Sequence, residues 1–318
     1  MAGRTLLVAS GGGHLKQLQN LAVRVPWASE SRVWITVDTP HSRTLLDNEA
    51  EVIFVPSARS RDVIAALSNA KAVRTHIRKN SFSHAVSTGA SLAVSVLPWA
   101  RAAGASCHFI ESAARVDGPS VSGRMLAHVP GLHRYAQYRH WRSRGWAYAG
   151  SVFDSFKPDI TVEAARLQRV VVTLGTLENF PFRKVLERMI QILPPEIEVL
   201  WQTGCTTVQD LGINARPMVP EPEFTTALTS ADVVVAHAGV GSALSALESG
   251  KIPILGPRRA RRHEHVDDHQ EQLARELEER GLARWIEADK LTLDDLLKAS
   301  RARLNLVQTA PPTLDLQA

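Results

Sequence analysis

Short apolar runs rich in β-branched residues alternate along the chain with segments in which apolar residues recur at helical spacing. In the first half, the apolar runs predict strands over residues 5–9, 32–37, 51–55, 84–87 and 106–110. In the second half, they predict strands over residues 169–174, 198–202, 231–236, 252–255 and 283–286. Strands that alternate with helices in this way indicate parallel sheets with crossover helices, and therefore an α/β fold.

The length of the chain favours two domains, because 318 residues exceed the usual size of one hydrophobic core. The repeated pattern predicts two Rossmann-like, doubly wound domains that face each other across a cleft, with residues 1–160 in the first and residues 161–318 in the second. We expect the linker near residues 153–168. We also expect the polar tail after residue 307 to be frayed.

Composition is that of an ordinary globular protein, with 44% hydrophobic and 22% charged residues, and this excludes a disordered chain. The net charge of +5 is unevenly distributed. Residues 1–160 carry 19 Lys and Arg against 10 Asp and Glu, or +9, whereas residues 161–318 carry 18 against 22, or −4. The first half therefore favours an anionic partner, which could be nucleic acid, anionic phospholipid or a pyrophosphate-bearing substrate.

Three features predict a cytoplasmic protein. The two cysteines, Cys107 and Cys205, form no disulfide framework and fit a reducing compartment. The N-terminal sequence MAGRTLLVAS runs into a glycine-rich turn without the pattern of a signal peptide. The longest apolar stretch, residues 85–100, is interrupted by Pro98 and is shorter than the ~20 residues that a spanning helix needs.

The first predicted strand leads into SGGGHLKQL, in which glycines turn directly into a helix. Backbone amides at Gly12 and Gly13 can approach an anion there, because a helix N-terminus carries about half a positive charge. The G-x-G-x-x-G spacing is missing, which weakens the case for hydride chemistry. His14 is the candidate general base, since the ordinary pKa of imidazole lies near neutral pH. Helix capping and acceptor binding are the alternative roles for this histidine.

The segment FIESAARV, residues 109–116, places two ionisable side chains after another strand of the same domain. Glu111 is the second candidate base, and Arg115 is a candidate phosphate ligand. An internal ion pair between them is the alternative.

Arginines and aromatic residues are interleaved over residues 124–148. They are Arg124, Arg134, Arg139, Arg142, Arg144, Tyr135, Tyr138, Trp141, Trp146 and Tyr148. This mixture favours docking on an anionic membrane surface, with RNA contact and a solvated helix as the alternatives. We expect a membrane surface and no nucleic acid as the partner.

The second half carries the stronger chemical signal. The sequence VVVTLGT ends a predicted strand at Gly175 and Thr176, and VLWQTG repeats that placement with Gln202 and Gly204. Because ligands collect at the carboxyl ends of parallel strands, these residues are candidates for binding a substrate.

A strand, a glycine turn and a helix follow in ADVVVAHAGVGSALSALESG, residues 231–250. Gly239, Gly241 and Ser242 can donate hydrogen bonds to a diphosphate at the start of this helix. Glu248, further along the helix, is a candidate for binding ribose hydroxyls.

The sequence HEHVDDHQ, residues 263–270, has the composition of a metal site. No histidine pair is expected on one settled helical face, so we predict sugar or phosphate binding there and no metal. The preceding arginines, Arg258, Arg259, Arg261 and Arg262, favour an acidic donor sugar.

These motifs resemble glycosyltransferase family 28. The second half, from VVTLGT through WQTG and HAGVGS to EHVDDHQ, is similar to the PssE-like C-terminal halves of that family. The first half, with SGGGHLKQL, STGAS, IESAARV and SGR, resembles the PssD-like partner, as if the two halves were fused. The pair that transfers the second N-acetylglucosamine to dolichol-linked sugar is related, as is, more distantly, MurG of peptidoglycan synthesis.

The resemblance implies a GT-B fold and an inverting transfer without metal or other cofactor. A UDP-sugar (GlcA, GlcNAc or Glc) would be the co-substrate, and a polyprenyl-diphosphate-linked saccharide the acceptor, at the inner face of the plasma membrane. Carried over by position, the donor-binding residues are Gly175, Thr176, Gln202, Gly204, His237, Gly239, Gly241, Ser242, Glu248, His265, Asp268 and Gln270. The acceptor side is assigned to Gly12, Gly13, His14, Glu111, Ser112, Arg115 and Arg124.

Two other functions fit the sequence pattern. An epimerase acting on a UDP-sugar needs the same nucleotide site but no lipid acceptor. A non-catalytic subunit that binds a sugar nucleotide needs only one half, whereas this chain contains both.

Overall fold

The computed structural model describes residues 3–28, 31–56, 73–78, 80–141, 144–157, 160–162, 167–175, 180–265, 267–304 and 312–316. The chain divides into two compact units. Unit 1 comprises Met1–Ser155 together with Ala310–Ala318, and unit 2 comprises Phe156–Thr309. The division lies close to residue 160, but the C-terminal residues group with unit 1 and not, as expected, with the second domain.

Unit 1 is built on a seven-stranded parallel sheet in the order β3-β2-β1-β4-β5-β6-β7. Its strands are β1 (Arg4–Ala9), β2 (Arg32–Val37), β3 (Val52–Val55), β4 (Phe82–Gly89), β5 (Ser106–Ile110), β6 (Leu132–Ala136) and β7 (Ala147–Tyr148). Its helices are α1 (Gly13–Ala22), α2 (Pro40–Leu45), α3 (Ser91–Ala102) and α4 (Val121–Leu126), with a further helical segment over 73–78. The strand order is that of a doubly wound Rossmann-like sheet.

Unit 2 has a six-stranded parallel sheet in the order β11-β10-β9-β12-β13-β14. The strands are β9 (Arg169–Thr173), β10 (Glu198–Gln202), β11 (Ala215–Arg216), β12 (Val233–His237), β13 (Ile254–Gly256) and β14 (Arg284–Trp285). The helices are α5 (Arg183–Ile192), α6 (Glu221–Ser230), α7 (Val240–Glu248), α8 (His269–Glu279) and α9 (Leu293–Ser300). A separate antiparallel pair joins β8 (Ile160–Val162) to β15 (Ala302–Leu304).

The central strands are apolar on both faces because helices cover both sides of each sheet. In β1, Thr5 to Ala9 are all buried, and in β12 every residue is buried. These continuous apolar runs explain why the two doubly wound sheets follow the predicted α/β pattern. The two-domain, parallel-sheet fold class is therefore confirmed.

The C-terminal tail is not frayed where the structure describes it. Leu314 and Leu316 are buried. The Leu314 amide donates to the carbonyl oxygen of Arg24 at 2.9 Å, and the Arg24 Nε donates to the carbonyl oxygen of Pro312 at 2.7 Å. Two leucines in an otherwise polar segment are thus enough to fix residues 312–316 on unit 1.

The interpretation of residues 124–148 as one exposed, membrane-facing stretch is wrong for several aromatic residues. Tyr135 lies in β6, and both it and Tyr138 are almost fully buried. Trp146 packs edge-on against Phe109, with ring centroids 6.0 Å apart. The Tyr138 hydroxyl donates to the carbonyl oxygen of Ala113. The two tyrosines therefore lie in the interior of unit 1, and Trp146 packs, partly buried, against its core. Separately, none of the described helices is long and apolar enough to cross a membrane.

A row of histidines crosses the sheet of unit 1 on neighbouring strands. His108 of β5 is fully buried, with its ring centroid 5.2 Å from that of His133 and 5.6 Å from that of His84. Ser106 Oγ and Tyr135 Oη lie within hydrogen-bonding distance of its two ring nitrogens, at 3.2 and 3.3 Å. Burial first, and then the neighbouring His133 and His84, lower the pKa of His108 to about 3.

Acidification is therefore expected to destabilise unit 1 through His108. Its pKa is lower in the folded state than the ordinary 6.5, so the neutral ring contributes stability above about pH 6.5, and this is lost as the pH falls toward 3. One such group gives a slope of at most about 1.4 kcal/mol per pH unit. Urea unfolding of wild type and His108→Asn between pH 7 and 4 should show a flatter pH dependence for the variant. The exposed His128→Asn should retain the wild-type slope, and equal slopes in all three proteins would contradict the assignment.

Candidate active site

The carboxyl ends of three strands meet in unit 2. Strand β12 lies between β9 and β13 and ends at His237, opposite Gly256 of β13 and one residue beyond the pairing of Ala236 with Thr173 of β9. The chain then turns at Ala238 and Gly239, and helix α7 begins at Val240 with Gly239 as its N-cap. Parallel strands and a helix N-terminus at one edge are the usual setting for a bound nucleotide.

His237 is wedged between two glycine backbones. A Cβ atom added to Gly175 would lie 2.5 Å from His237 Cε1, and one added to Gly239 would lie 2.3 Å from His237 Nε2. Gly175 also has a φ of +71°, which favours glycine. A side chain at position 175 or 239 would overlap the His237 ring, so the packing requires glycine at both positions.

Arg258 follows β13 and is only 3% exposed. Its Nη2 donates to the carbonyl oxygen of Leu174 at 2.8 Å, and its guanidinium lies 5.3 Å from the ring centroid of Phe182. Burial lowers the pKa of Arg258 to about 10, so the group still carries its charge at neutral pH. Cys205 and Glu264 act electrostatically on Arg258 and oppose this fall of its pKa. Its buried Nε has no hydrogen-bond partner among the described residues.

His237 is neutral beside that charge. Burial first, and then the Arg258 cation, hold the pKa of His237 well below its ordinary value. Its buried Nδ1 has no hydrogen-bond partner among the residues that the structure describes. This edge of unit 2 therefore presents a cation and polar nitrogens that lack an acceptor.

The start of α7 adds further donors. Gly239 caps the helix without a side-chain hydrogen bond, and Gly241 and Ser242 lie in the first turn and are partly exposed. Gly241 and Ser242 therefore lie where the diphosphate hypothesis puts them, whereas the Gly239 amide already donates to the His237 carbonyl oxygen at 2.7 Å. Diphosphate binding by these residues stays a prediction. Glu248 is the last residue of α7, about 12 Å along the axis from Val240. Glu248 is thus not brought to the helix N-terminus, and ribose binding by its carboxylate stays a prediction.

Several other candidate donor-binding residues form hydrogen bonds that stabilise the strand ends of unit 2. The side chain of Gln202 donates from Nε2 to Thr173 Oγ1 at 2.9 Å and accepts from the Val219 amide at 2.9 Å. The Gly204 amide donates to the carbonyl oxygen of Pro217 at 3.0 Å. These contacts fix the ends of β9 and β10. The remaining candidate at this strand end, Thr176, lies outside the described residues.

Gln270 and Asp268 fix the loop before α8. Gln270 Oε1 accepts from the Arg258 amide at 3.0 Å, and Asp268 Oδ1 accepts from the Ala260 amide at 2.9 Å. Gln270 is buried, so its carbonyl oxygen positions the backbone from which Arg258 projects.

The arginines after Arg258 have other partners. Arg259 forms salt bridges with Glu271 and Glu287. Arg262 lies 3.2 Å from Glu287 and 3.4 Å from Asp289, and the Arg261 side chain is 69% exposed. The structure therefore separates Arg258 from its neighbours in the run.

A compact cluster lies just before α8. The His265 ring stacks on Phe180 with centroids 4.6 Å apart and is perpendicular to the His269 ring, also at 4.6 Å. His265 Nδ1 lies 3.7 Å from Asp267 Oδ1, and His269 Nδ1 contacts the same oxygen. Both histidines also act electrostatically on His237, which places the cluster near the end of β12.

In unit 1, two helices begin side by side at the carboxyl ends of adjacent strands. Helix α1 follows β1 after Gly12, which has a φ of +67°, and α3 follows β4 after Ala90. Neither helix has a side-chain cap. Their first turns therefore leave backbone amides for an anion, with Gly13 as the first residue of α1.

His14 is fixed in one tautomer by the backbone of β4. Its Nδ1 lies 2.7 Å from the carbonyl oxygen of Thr88, which can only accept, so Nδ1 carries the hydrogen. Thr88 Oγ1 in turn donates to the His14 carbonyl oxygen at 2.7 Å. A Cβ atom on Gly89 would lie 3.1 Å from His14 Cε1, so the ring fits closely over that glycine. Nε2 then carries the lone pair that can accept a proton.

Glu111 is only 2% exposed, and its carboxylate accepts three hydrogen bonds. Oε2 accepts from the amide and hydroxyl of Ser120, each at 2.9 Å, and Oε1 accepts from the Ser112 amide at 3.1 Å. Burial raises the pKa of Glu111, and the hydrogen bonds from Ser120 oppose that rise. Since Ser120 caps α4, Glu111 links the end of β5 to that helix.

The other acceptor-side candidates differ in exposure. Ser112 is buried, and its Oγ accepts from Gln17 Nε2 at 3.1 Å. Arg115 is partly exposed, and Arg124 is exposed on α4. The structure thus places Ser112 inside unit 1 and the two arginines on its surface.

Sequence reasoning missed two residues that organise these sites. Gln17 is buried, donates to the Gly13 carbonyl oxygen at 3.0 Å and accepts from the Ala113 amide at 2.8 Å, so it ties the glycine turn to the loop after β5. Arg258 was grouped with its neighbours as a hint about the donor sugar. Gln17 could have been noticed in the sequence because it follows His14 by three residues, which places both side chains on the same face of the helix.

Comparison with known protein families gives a match in unit 2. The profile of the glycosyltransferase family 28 C-terminal domain matches residues 169–309, which are the main part of unit 2. A comparison with curated protein sequences gives no match.

The fold has close counterparts among solved structures. The chain is similar to MurG from Acinetobacter baumannii, with a TM-score of 0.58 and 16% identity over 92% of this chain and 88% of that one. It is similar to the glycosyltransferase SnogD from Streptomyces nogalater, with a TM-score of 0.54 and 17% identity over 93% and 90%. It is also similar to UDP-GlcNAc 2-epimerase from Methanocaldococcus jannaschii, with a TM-score of 0.56 and 12% identity over 98% and 96%.

These likenesses show the fold, which is GT-B: two parallel-sheet, Rossmann-like units. Within it, residues 169–309 of unit 2 match the family 28 C-terminal domain of glycosyltransferases. The likeness to the epimerase shows that the fold by itself does not separate transfer from isomerisation.

Substitution of Gly239 should displace His237. The φ of Gly239 is −97°, which suits any residue, so Gly239→Ala acts through the contact of the new Cβ atom with the His237 ring. We expect the free energy of unfolding to fall by about 1–3 kcal/mol, as for other overpacked sites. The matched control is Gly118→Ala, which meets no atom within 4 Å and should change it by less than about 0.5 kcal/mol. Urea unfolding measures both, and equal stability of the two variants would contradict the wedged arrangement.

Proposed function

We propose that the protein transfers a sugar from a UDP-sugar to a hydroxyl group of a polyprenyl-diphosphate-linked saccharide, with unit 2 binding the donor and unit 1 the acceptor. The observation that carries this proposal is the buried Arg258 cation, whose Nε has no described hydrogen-bond partner, beside His237 and the start of α7. The match of this same unit to the family 28 C-terminal domain supports a glycosyltransferase over other nucleotide-binding proteins.

A diphosphate supplies what the site of unit 2 lacks. A buried cation is stable only when an anion or several acceptors surround it. The described residues give Arg258 one carbonyl oxygen and one aromatic face in direct contact, and Glu264 and Cys205 as electrostatic neighbours. The Gly241 amide in the first turn of α7 adds the positive end of the helix dipole, whereas the Gly239 amide already donates to the His237 carbonyl oxygen at 2.7 Å. The Arg258 cation and the Gly241 amide would both stabilise the charge that develops on the departing UDP, so the chain's own residues can perform this part of the reaction.

Unit 1 supplies complementary chemistry for the acceptor. The uncapped starts of α1 and α3 suit the diphosphate of a lipid carrier. His14 adjoins this place, and its Nε2 lone pair suits removal of a proton from the attacking hydroxyl. Glu111 is less suited to that role because three hydrogen bonds already bind its buried carboxylate.

A membrane-bound acceptor requires a docking surface, and α4 fits this need better than the buried tyrosines. Val121 and Met125 are 57% and 54% exposed, and Arg124 is exposed between them. Exposed apolar side chains next to a basic residue favour an anionic lipid surface. We therefore place the contact with the cytoplasmic face of the membrane on this short helix. The PssD/PssE-like fusion and the identity of the sugar rest on the motif resemblance alone.

Arg258→Gln should weaken UDP binding by at least about ten-fold, because charge-assisted hydrogen bonds contribute roughly 1.5–3 kcal/mol. Arg258→Lys keeps the charge but not the planar fork and should fall between this variant and wild type. Calorimetric titration with UDP is the measurement, after circular dichroism has shown that each variant is folded. Arg261→Gln, which removes an exposed arginine from the same run, is the control and should bind as wild type does. Equal affinities of the Arg258 and Arg261 variants would overturn the donor site.

His14→Asn should lower turnover by about 10²- to 10⁴-fold, the usual contribution of a general base. The asparagine amide can still donate to the Thr88 carbonyl oxygen, so the variant removes the basic nitrogen and keeps the local fold. The assay uses UDP-GlcNAc, UDP-Glc and UDP-GlcA, with and without lipid extract, and separates transferred product from isomerised nucleotide sugar. UDP affinity should be unchanged.

Glu111→Gln is the comparison variant and should retain most of the turnover. Loss of turnover in Glu111→Gln together with an active His14→Asn would assign the base to Glu111 instead. Isomerisation of the nucleotide sugar without any lipid acceptor would favour the epimerase function, which the fold also accommodates.

A further inference from the structure

Three potential metal ligands converge in the loop before α8. His265, Asp267 and His269 each offer one ligand atom, and these atoms all lie within 4.8 Å of one another. Only His269 belongs to the helix, and His265 precedes it. The convergence is produced by the turn, which brings His265 and His269 to the same oxygen of Asp267. A settled helical face is therefore not needed to bring the two histidines together.

The distances between the three ligand atoms are close to those around a small divalent metal ion. Metal–ligand bonds of about 2.0–2.1 Å at tetrahedral angles place two ligand atoms about 3.4 Å apart. The observed distance from His265 Nδ1 to Asp267 Oδ1 is 3.7 Å, so this pair needs only a small adjustment, whereas His269 Nδ1 and Asp267 Oδ1, now in contact, would have to move apart. Two imidazoles and one carboxylate are a donor set typical of zinc and its first-row neighbours, whereas magnesium and calcium prefer oxygen ligands.

The surroundings hold the ligands in place. Phe180 stacks on the His265 ring, which fixes its plane. At the two ends of the loop, Glu264 Oε2 accepts from the Arg259 amide at 2.9 Å, and Asp268 Oδ1 accepts from the Ala260 amide. The side chains of His265 and His269 are 7% and 16% exposed, whereas that of Asp267 is 39% exposed, so solvent has access to one side of the cluster.

We infer that His265, Asp267 and His269 form a binding site for one divalent transition-metal ion, with Zn²⁺ as the best-suited ion. Three protein ligands leave a fourth position for water or another ligand, as in open zinc sites. The bound ion would replace the contact of His269 with Asp267 and clamp the loop that leads from Arg258 to Gln270. This site adjoins the proposed donor site, because His265 and His269 act electrostatically on His237, but no step of the proposed transfer by Arg258, His237 and His14 requires the ion.

Titration of the tag-free full-length chain with Zn²⁺ and Co²⁺ at pH 7.5 tests the site. Calorimetry should show one Zn²⁺ ion bound per chain, and Co²⁺ should give the visible absorption bands of a tetrahedral complex. Excess Mg²⁺ should not compete, because it prefers oxygen ligands. No nucleotide is required, so the result is independent of the transferase proposal.

Three substitutions remove one ligand each. His265→Phe keeps an aromatic ring against Phe180, Asp267→Asn keeps the shape of the side chain, and His269→Gln keeps a polar residue at the start of α8. Each should weaken Zn²⁺ binding by at least about ten-fold, since even indirect partners of metal ligands contribute that much. Since each variant changes the loop differently, one that fails to fold leaves the other two as tests.

The matched control is His263→Asn in the same loop. His263 is exposed and lies outside the cluster, and its φ of +58° is one that asparagine tolerates. This variant should bind Zn²⁺ as wild type does. A second control, Cys205→Ser, removes the exposed thiol that is the other strong zinc ligand of unit 2. The inference is overturned if wild type binds no Zn²⁺, if all three cluster variants retain its affinity, or if Cys205→Ser abolishes binding.

Discussion

A guanidinium group that is nearly removed from water, with Glu264 as an electrostatic neighbour, constrains the carboxyl edge of the second sheet. Arg258 keeps its charge although burial lowers its pKa to about 10. Its backbone is fixed by Gln270, and its side chain by the Leu174 carbonyl oxygen and the Phe182 ring. The energy of such a buried charge is recovered only when an anion enters, so the arrangement is more suited to binding than to stability. Burial first, and then repulsion by the Arg258 cation, hold the pKa of His237 well below its ordinary value and keep the ring neutral.

The two units use one local design for different purposes. In each, a histidine next to the start of an uncapped helix packs closely over a glycine at the end of a neighbouring strand. His14 remains partly exposed, and the Thr88 carbonyl oxygen selects its tautomer. His237 is buried beside a cation and has no comparable route for a proton. This contrast supports the proposal that proton transfer belongs to unit 1 and binding of the diphosphate leaving group to unit 2, although the glycine turns look alike in the sequence.

Much of the fold could be predicted because buried parallel strands are apolar on both faces. This gave β1 to β5, β9, β10 and β12 to β14 with small errors at their ends. Strand β6, with the sequence LHRYA, was missed because a histidine and an arginine interrupt the apolar pattern near the edge of the sheet. The same polar and aromatic mixture was interpreted as a surface, whereas Tyr135 packs inside the unit. Residue spacing reveals the period of an element, but it does not reveal which aromatic residues the neighbouring strands cover.

The candidate sites, like the fold, contain residues that the sequence reveals and residues that it does not. Glycines and histidines at strand ends are visible in the sequence because local backbone geometry requires them there. The role of Arg258 is not visible, since PRRARR presents four similar arginines and their partners lie far along the chain. Glu287 is 28 residues from Arg259, yet it contributes to neutralising Arg259 and Arg262. Arg261 remains in solvent, so only one of the four cations is left at the strand ends. A diphosphate carries more negative charge than this single cation and a helix N-terminus can balance, which removes the argument that the arginine run selects an acidic sugar.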